Sequence, residues 1–334
     1  MLKYKIAIVN SSSFGKIFPE HLNKLKKIGE VRSFTFKQNV KGDFLAKELQ
    51  GYNIIVSSVT PYFGKEFFDN KDELLLISRH GIGYNNIDLE SAKNHNTIVS
   101  IVSPLVERDA VAENHITNLL NVMRKTTKAY EAVINGKWEY RANFVGNTLY
   151  NKKVGIIGVG NTGSCIGETL RNGFRCNVMG YDPYKSKVYM EQFGIKKVEL
   201  NDLLKESDII CLCANLTEES YHIIDEKEIE KMKDNVYISN AARGDLVNEN
   251  AIIKALESGK LKAYATDILE FEPIKENHEF LTLSNVLITP HTSAYTMECL
   301  YYMGEKCVED CEKIIKGELP IRSVQSISKY VKSK

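Results

Sequence analysis

The sequence predicts an α/β protein built on two doubly wound parallel sheets. Short apolar runs alternate with helix-compatible segments along the chain, the pattern left by parallel strands joined through crossover helices. A series of six such runs beginning at Val154 is by itself enough for a complete doubly wound sheet. At the end of the first of these, glycines stand at 158, 160 and 163, ahead of a helix-compatible segment. A chain of 334 residues has room for two domains.

In order, KIAIVN reads as a strand, HLNKLKKIG as a helix and YNIIVSSV as a second strand. DELLLISRHG carries another apolar run to a glycine, and NTIVSIV is a further strand. NSSSFG, with no GxGxxG, follows the first strand, so this region is not expected to hold a nucleotide. Pro104 breaks the pattern, and VERDAVAENHITNLLNVMRKT reads as a long amphipathic helix. Its apolar positions are Val111, His115 as a half-apolar ring, Leu119 and Val122. A helix leading out of one domain into the next reads as a hinge, and the aromatic stretch INGKWEYRANFVGNTLYNKK after it reads as irregular.

The six later strands are expected at 154–157, 178–181, 209–213, 236–239, 263–266 and 286–289. NDLLKESD, EKEIEKMK and NENAIIKALESGK read as helices between them, the last stopped by Gly259. A final long helix covers 296–316 and ends at Gly317, with Met297, Leu300, Tyr301, Val308, Cys311 and Ile315 near one stripe. No internal repeat or low-complexity segment is visible.

The glycines carry the first functional reading. Gly158 permits a tight turn, Gly160 lets the backbone approach a pyrophosphate, and Gly163 lets the helix pack close to the strand. Phosphates then face the free N–H groups and positive end of that helix. Asp182 lies 19 residues beyond Gly163, where a carboxylate accepts hydrogen bonds from ribose hydroxyls and repels a 2'-phosphate. The cofactor expected is therefore NAD and not NADP.

Composition narrows the alternatives. With 43% apolar and 26% charged residues and a net charge of +1, the chain offers no field for nucleic acid or an acidic membrane surface. The lysine clusters NKLKK and KYVKSK read as solvated faces. The N-terminus reads as a strand and not a signal peptide, and no stretch approaches the roughly 18 apolar residues of a membrane helix. Seven cysteines, odd in number and without CxxC, fit buried thiols in a reducing cytoplasm; no metal site is expected.

Ligands of an open α/β sheet bind outside the carboxyl ends of its strands. After the six strands come, in turn, the glycines; Asp182; Ala214 and Asn215; Ala241, Ala242 and Arg243; Asp267 and then Glu272; and His291. Topology thus gathers a cation, a carboxylate and an imidazole on one rim. That set suits hydride transfer to a 2-oxo acid. Arg243 offers a forked donor for the substrate carboxylate. His291 supplies a proton to the forming alkoxide. Glu272 beside it stabilises the protonated ring and raises its pKa. Taken singly, each has a plainer reading: Arg243 pairs with Asp245 or caps a helix, Glu272 is a solvated loop residue before Pro273, and His291 is structural. Their shared rim favours the chemical one.

In these residues the chain resembles the D-isomer-specific 2-hydroxyacid dehydrogenases along nearly its whole length. NAARGDLVNENAI, TDILEFEP and TPHTSA are similar to the family's arginine, acidic and histidine signatures, with Arg243 and Glu272 29 residues apart. The resemblance implies Arg243, Glu272 and His291 as catalytic residues. It also implies a Rossmann NAD-binding domain, 106–293, inserted into a flavodoxin-like substrate domain made of 1–105 and 294–334. RHGIGYNNIDL resembles the substrate loop, placing Ile82 and Gly83 at the carboxylate. Cofactor contacts are implied at Asn161 and Thr162 near the pyrophosphate, at Ala214, Asn215, Ala241, Ala242 and Arg243, and at Asp267 near the nicotinamide. Other implications are a homodimer formed through 106–150 around Trp138, and a short form without an added regulatory domain. Two departures, Asn215 where the family commonly has proline and Val102 where it has asparagine, touch no catalytic position. A non-catalytic NADH-sensing regulator of the same fold is the alternative function. The substrate stays open among lactate-like, branched-chain, 3-phosphoglycerate and dicarboxylate classes, because Arg79 and His80 are possible contacts for a second anionic group; the plainer reading pairs Arg79 with Asp88.

Overall fold

A computed structural model describes residues 3–324. The lysine cluster KYVKSK lies outside the described residues. The chain divides into two compact units, Met1–Glu107 with Tyr295–Lys334, and Arg108–Ala294.

The first unit contains β1 (Lys5–Val9), α1 (Pro19–Ile28), β2 (Glu30–Phe34), α2 (Gly42–Glu48), β3 (Ile54–Ser57), α3 (Lys65–Asn70), β4 (Leu76–Arg79), α4 (Leu89–Asn94) and β5 (Ile98–Ser100). Its sheet has the order β2-β1-β3-β4-β5 with every pairing parallel, the flavodoxin-like doubly wound arrangement. Strand alternation sends Ala7, Val9, Ile55, Ile77 and Val99 to one face, against Leu45 and Ala46 of α2 and Phe67 and Phe68 of α3. The other face, Ile6, Ile8, Ile54, Val56, Leu76 and Ile98, meets Leu25 of α1. Burying each such aliphatic side chain contributes about 1.5–3 kcal/mol. Helix starts follow local chemistry: Pro19 sits at the first turn of α1, and Asp88 caps α4 by accepting the Ser91 N–H at 3.0 Å.

Next come α5 (Pro104–Arg124) and α6 (Thr126–Ile134), then a 3-10 helix, Trp138–Phe144. The second unit continues with β6 (Lys153–Ile157), α7 (Asn161–Phe174), β7 (Asn177–Tyr181), α8 (Lys187–Gln192), β8 (Lys196–Lys197), α9 (Leu200–Glu206), β9 (Ile209–Leu212), α10 (Glu226–Lys231), β10 (Val236–Asn240), α11 (Glu249–Glu257), β11 (Leu261–Thr266) and β12 (Val286–Ile288). Its parallel sheet runs β12-β11-β10-β9-β6-β7-β8. The order reverses between β6 and β9, which opens a crevice at their carboxyl ends. One face packs on α9, α10 and α11 through Leu203, Ile229 and Ile252. The other packs on α5 and α7 through Ile116, Leu119, Ile166 and Leu170. Gly259, with φ +78°, stops α11. The last helix, α12 (Met297–Ile315), belongs to the first unit and lays Cys307, Val308, Cys311 and Ile314 on the α1 face of its sheet.

All six expected strands of the second sheet are present, and β8 is an addition at its edge. Two helical stripes need correction. In α12 Met297 is exposed and Tyr301 borders on it; the buried line runs through Cys299, Met303 and Gly304 instead. Gly304 is required there, because a Cβ would fall 2.1 Å from His21 Nδ1. In α5 Val111 and Val122 are only half-buried, and Ala112, Ile116 and Met123 face the core. Small alanines and glycines carry little apolar weight in a sequence pattern, yet they are what allows close packing.

Candidate active site

The glycine turn is built as its sequence predicts. Gly158 has φ +90°, and a Cβ on it would lie 2.5 Å from the Ala214 backbone, so the end of β6 touches the end of β9 directly. A Cβ on Gly163 would lie 2.1 Å from the Gly158 carbonyl, so α7 packs straight onto the turn. Over Gly160, the residue before α7, nothing lies within 4 Å of the Cβ position, which leaves room for a ligand at the helix N-terminus. Asn161 is exposed and Thr162 half-buried in the first turn of α7.

Asp182 is buried at the end of β7. One carboxylate oxygen accepts the Val159 N–H and the other the Tyr184 N–H, both at 2.9 Å. The acid therefore ties the glycine turn to the neighbouring strand end, with lone pairs left for hydroxyl donors. Ala214 is half-buried and Asn215 exposed after β9. A turn open over Gly160, a helix N-terminus and a carboxylate across from them fit a dinucleotide.

The turn after β10 is folded by Asn240. Its amide Nδ2 donates to the Arg243 carbonyl at 2.9 Å, and its Oδ1 accepts the Ala242 N–H at 3.0 Å. The Arg243 guanidinium, half-buried, donates to the Ala242 carbonyl at 2.6 Å. Gly244 then lies against the next loop; a Cβ on it would be 2.1 Å from Leu269. The Arg243 turn and the Glu272 loop are thus in backbone contact.

Glu272 and His291 meet directly: His291 Nδ1 is 2.8 Å from Glu272 Oε2. The other oxygen of Glu272 accepts the Leu269 N–H at 3.1 Å. His291 sits at φ +54°, a left-handed conformation, with its N–H on the Asp267 carbonyl at 2.9 Å. Both rings of contact leave the pair partly open, the His291 side chain being 42% exposed and Glu272 32%. Asp267, by contrast, is buried at 1%. Its carboxylate accepts from Thr289 Oγ1 at 2.5 Å, Thr292 N–H at 2.9 Å and Ser293 N–H at 2.7 Å, and also from the Ser293 hydroxyl. These bonds hold the His291 loop closed on the end of β11.

Sequence reading missed a second set of supports. Glu249 and Glu270 exchange contacts, each N–H donating to the other's carboxylate at 3.2 and 3.1 Å. His278 Nε2 lies 3.1 Å from Glu249 Oε2, while its Nδ1 accepts the Phe280 N–H, so Nε2 is the nitrogen that donates to Glu249. Burial pushes the Glu249 carboxyl above its ordinary pKa, and the Glu270 charge pushes the same way. This pair pins the loop leading to Glu272. The capping-type position of Glu249 at the start of α11 was the available signal.

The first unit holds the remaining positions. The Ile82 N–H, expected at a substrate carboxylate, donates to Glu107 Oε1 at 3.0 Å, and Gly83 is half-buried. Arg79 is 3% exposed and its guanidinium donates to the His80 carbonyl at 2.8 Å, under Gly81. Asp88 is not its partner but the cap of α4. His80 is buried too; desolvation first, then the charges of Arg79 and Lys306, lower its pKa to about 3. Among the described residues no three His, Cys, Asp or Glu side chains cluster for a metal, and no helix is long and apolar enough to cross a membrane.

A family model described as D-isomer specific 2-hydroxyacid dehydrogenase, NAD binding domain, matches residues 116–293. A D-3-phosphoglycerate dehydrogenase of Methanocaldococcus jannaschii is 34% identical over 302 residues, 90% of this chain but only 57% of that protein. The chain thus spans just over half the length of that relative. A glyoxylate reductase of Thermococcus litoralis is 32% identical over 309 residues, covering 90% of this chain and 92% of that one. Among solved structures, a D-lactate dehydrogenase from Aquifex aeolicus complexed with NAD and lactic acid superposes with a TM-score of 0.84 at 26% identity, covering 97% of this chain and 100% of that chain.

Proposed function

Since the chain belongs to the D-isomer specific 2-hydroxyacid dehydrogenases, NAD-dependent oxidoreductases, we propose that it interconverts a small 2-oxo acid and its D-2-hydroxy acid. The observation that carries this reading is the 2.8 Å contact of His291 Nδ1 with Glu272 Oε2 on a partly open rim. With Nδ1–H held by the carboxylate, Nε2 is the atom that faces the substrate oxygen. Bound NADH supplies the hydride to the carbonyl carbon, and NAD accepts it in reverse. Arg243 holds the substrate carboxylate through its fork. His291 gives a proton to the carbonyl oxygen as negative charge develops there, and Glu272 stabilises the imidazolium left in the reverse direction. Gly158, Gly160, Asn161, Thr162, Gly163 and Asp182 hold the dinucleotide, with Ala214, Asn215, Ala241, Ala242 and Asp267 around its path.

Two residues of the first unit bear on the substrate proposed. Arg79 and His80, the sequence's best candidates for a second anion, are buried; the guanidinium is engaged by carbonyls and the ring is neutral. A monocarboxylic 2-oxo acid with a short side chain suits this better than 3-phosphoglycerate or a dicarboxylate. A panel of 2-oxo acids assayed by NADH oxidation is the test: glyoxylate or pyruvate turnover well above that of phosphorylated substrates is the expected result, and preference for the phosphorylated acid contradicts it. The protein acts as a homodimer in the cytoplasm in this reading. Supporting that, the 106–150 stretch leaves Tyr130, Trp138 and Val145 at least 66% exposed, and the seven cysteines are all free. Sedimentation that finds only monomer removes the dimer.

A further inference from the structure

One buried polar face in the second unit is unused by the mechanism above. Asn114, His115 and Asn118 lie within one turn of α5, His115 being 1% and Asn118 6% exposed. His115 Nε2 accepts the Ala241 N–H at 3.0 Å. Its Nδ1 therefore carries the ring proton, which goes to Ser239 Oγ at 2.9 Å. Asn118 Nδ2 donates to Thr289 Oγ1 at 3.1 Å and to Asn114 Oδ1 at 2.9 Å. The Ser293 hydroxyl, shared with the Asp267 carboxylate, also lies 3.0 Å from Asn114 Oδ1. Ala241 opens the Arg243 turn; Thr289 and Ser293 flank His291.

We propose that Asn114, His115 and Asn118 are positioning residues, a single helix face that sets the Arg243 turn and the His291 loop at one fixed separation. A helix needing only to pack would place leucines here, because a buried polar group costs about 1–3 kcal/mol unless it is bonded. These three are bonded, and to both loops at once. A rigid helix has few ways to change the distance between its own side chains one turn apart, so it serves as a gauge between the cation that holds the carboxylate and the group that moves the proton. Burial lowers the His115 pKa to about 4 against the opposing charge of Asp267, which keeps Nε2 an acceptor at neutral pH. The inference rests on the function proposed above.

Its test compares His115→Leu, which leaves the Ala241 N–H buried without an acceptor, with His115→Gln, whose Oε1 reaches the same N–H. Asn118→Leu probes the other loop. The expected result for His115→Leu is a kcat loss on the order of 10- to 100-fold, with NADH affinity unchanged and most of the rate restored in His115→Gln. In a His291→Ala background the same substitution is expected to cost little more. Amide exchange at Ala241 and Thr292, read without any substrate, is expected to accelerate in the leucine variants. Unchanged kcat in His115→Leu, or equal losses in the Leu and Gln variants that follow only their melting temperatures, overturns the proposal. Wild-type protein that reduces no 2-oxo acid removes the function alone; the positioning claim then stands or falls on whether amide protection at the two loops changes.

Discussion

Both units end strands in arginine and histidine, and they use them in opposite ways. In the first, β4 runs out into Arg79 and His80, both buried; the guanidinium grips backbone carbonyls and the ring is held neutral, its pKa near 3. In the second, β10 and β12 run out into Arg243 and His291, which stay partly open. His291 has a carboxylate at 2.8 Å, whereas His80 has its pKa lowered by burial first and then by the charges of Arg79, Lys306 and His21. Residue types match in the two units, although Arg79 and His80 close a single strand whereas Arg243 and His291 each stand three residues past a different one. The two pairs are separated by burial and by the sign of the neighbouring charge.

His291 and His80 are expected to differ most under substitution. His291→Ala is expected to lower kcat by about 100- to 10,000-fold with NADH binding intact; the corresponding His80→Gln is expected to leave kcat within a few-fold. A comparable loss in both variants erases the distinction. Next in size, Arg243→Lys removes the fork proposed to hold the substrate carboxylate and is expected to weaken 2-oxo acid binding and turnover together, by about 10- to 100-fold. Arg79→Met, by contrast, is expected to cost about 1–3 kcal/mol of unfolding free energy with KM unchanged; a raised KM for the 2-oxo acid would return Arg79 to the substrate site.

The smallest effect is on pH dependence. Because the His80 pKa falls from 6.5 to about 3 on folding, the unfolded chain binds the proton first as pH drops. The stability held by the neutral ring is complete above pH 6.5 and is lost progressively toward pH 3. Unfolding free energy measured between pH 6 and 4 is therefore expected to slope less steeply in His80→Gln than in wild type. Identical slopes would mean that the ring is not held neutral.

How much of this was legible in sequence depended on where a residue sits. Central parallel strands are buried on both faces and read as unbroken apolar runs, so β6, β9 and β10 were plain. The edge strand β2, EVRSF, is largely exposed and showed no such run; β8 is two lysines. Short helices such as α3 and α4, six residues each, have too few turns to show a period. The rim residues Arg243, Glu272 and His291 were found because strand ends follow directly from strand positions. Their supports were not. His115 was read as a half-apolar ring and Asn118 not at all, since a buried polar side chain is recognisable only once the donor it meets, here the Ala241 N–H or Thr289, is folded beside it. Burial of Arg79 and His80 is likewise a property of the packed sheet and not of the peptide RHG.

One rim of the second sheet is proposed to carry the chemistry. NADH oxidation by wild-type and His291→Ala protein against glyoxylate, pyruvate, a branched 2-oxo acid and a phosphorylated one tests it most directly. Turnover of a small monocarboxylic 2-oxo acid by wild type, abolished in His291→Ala while NADH still binds, is the predicted result. Turnover that survives the substitution, or wild-type protein that binds NADH and reduces none of the four, would contradict it.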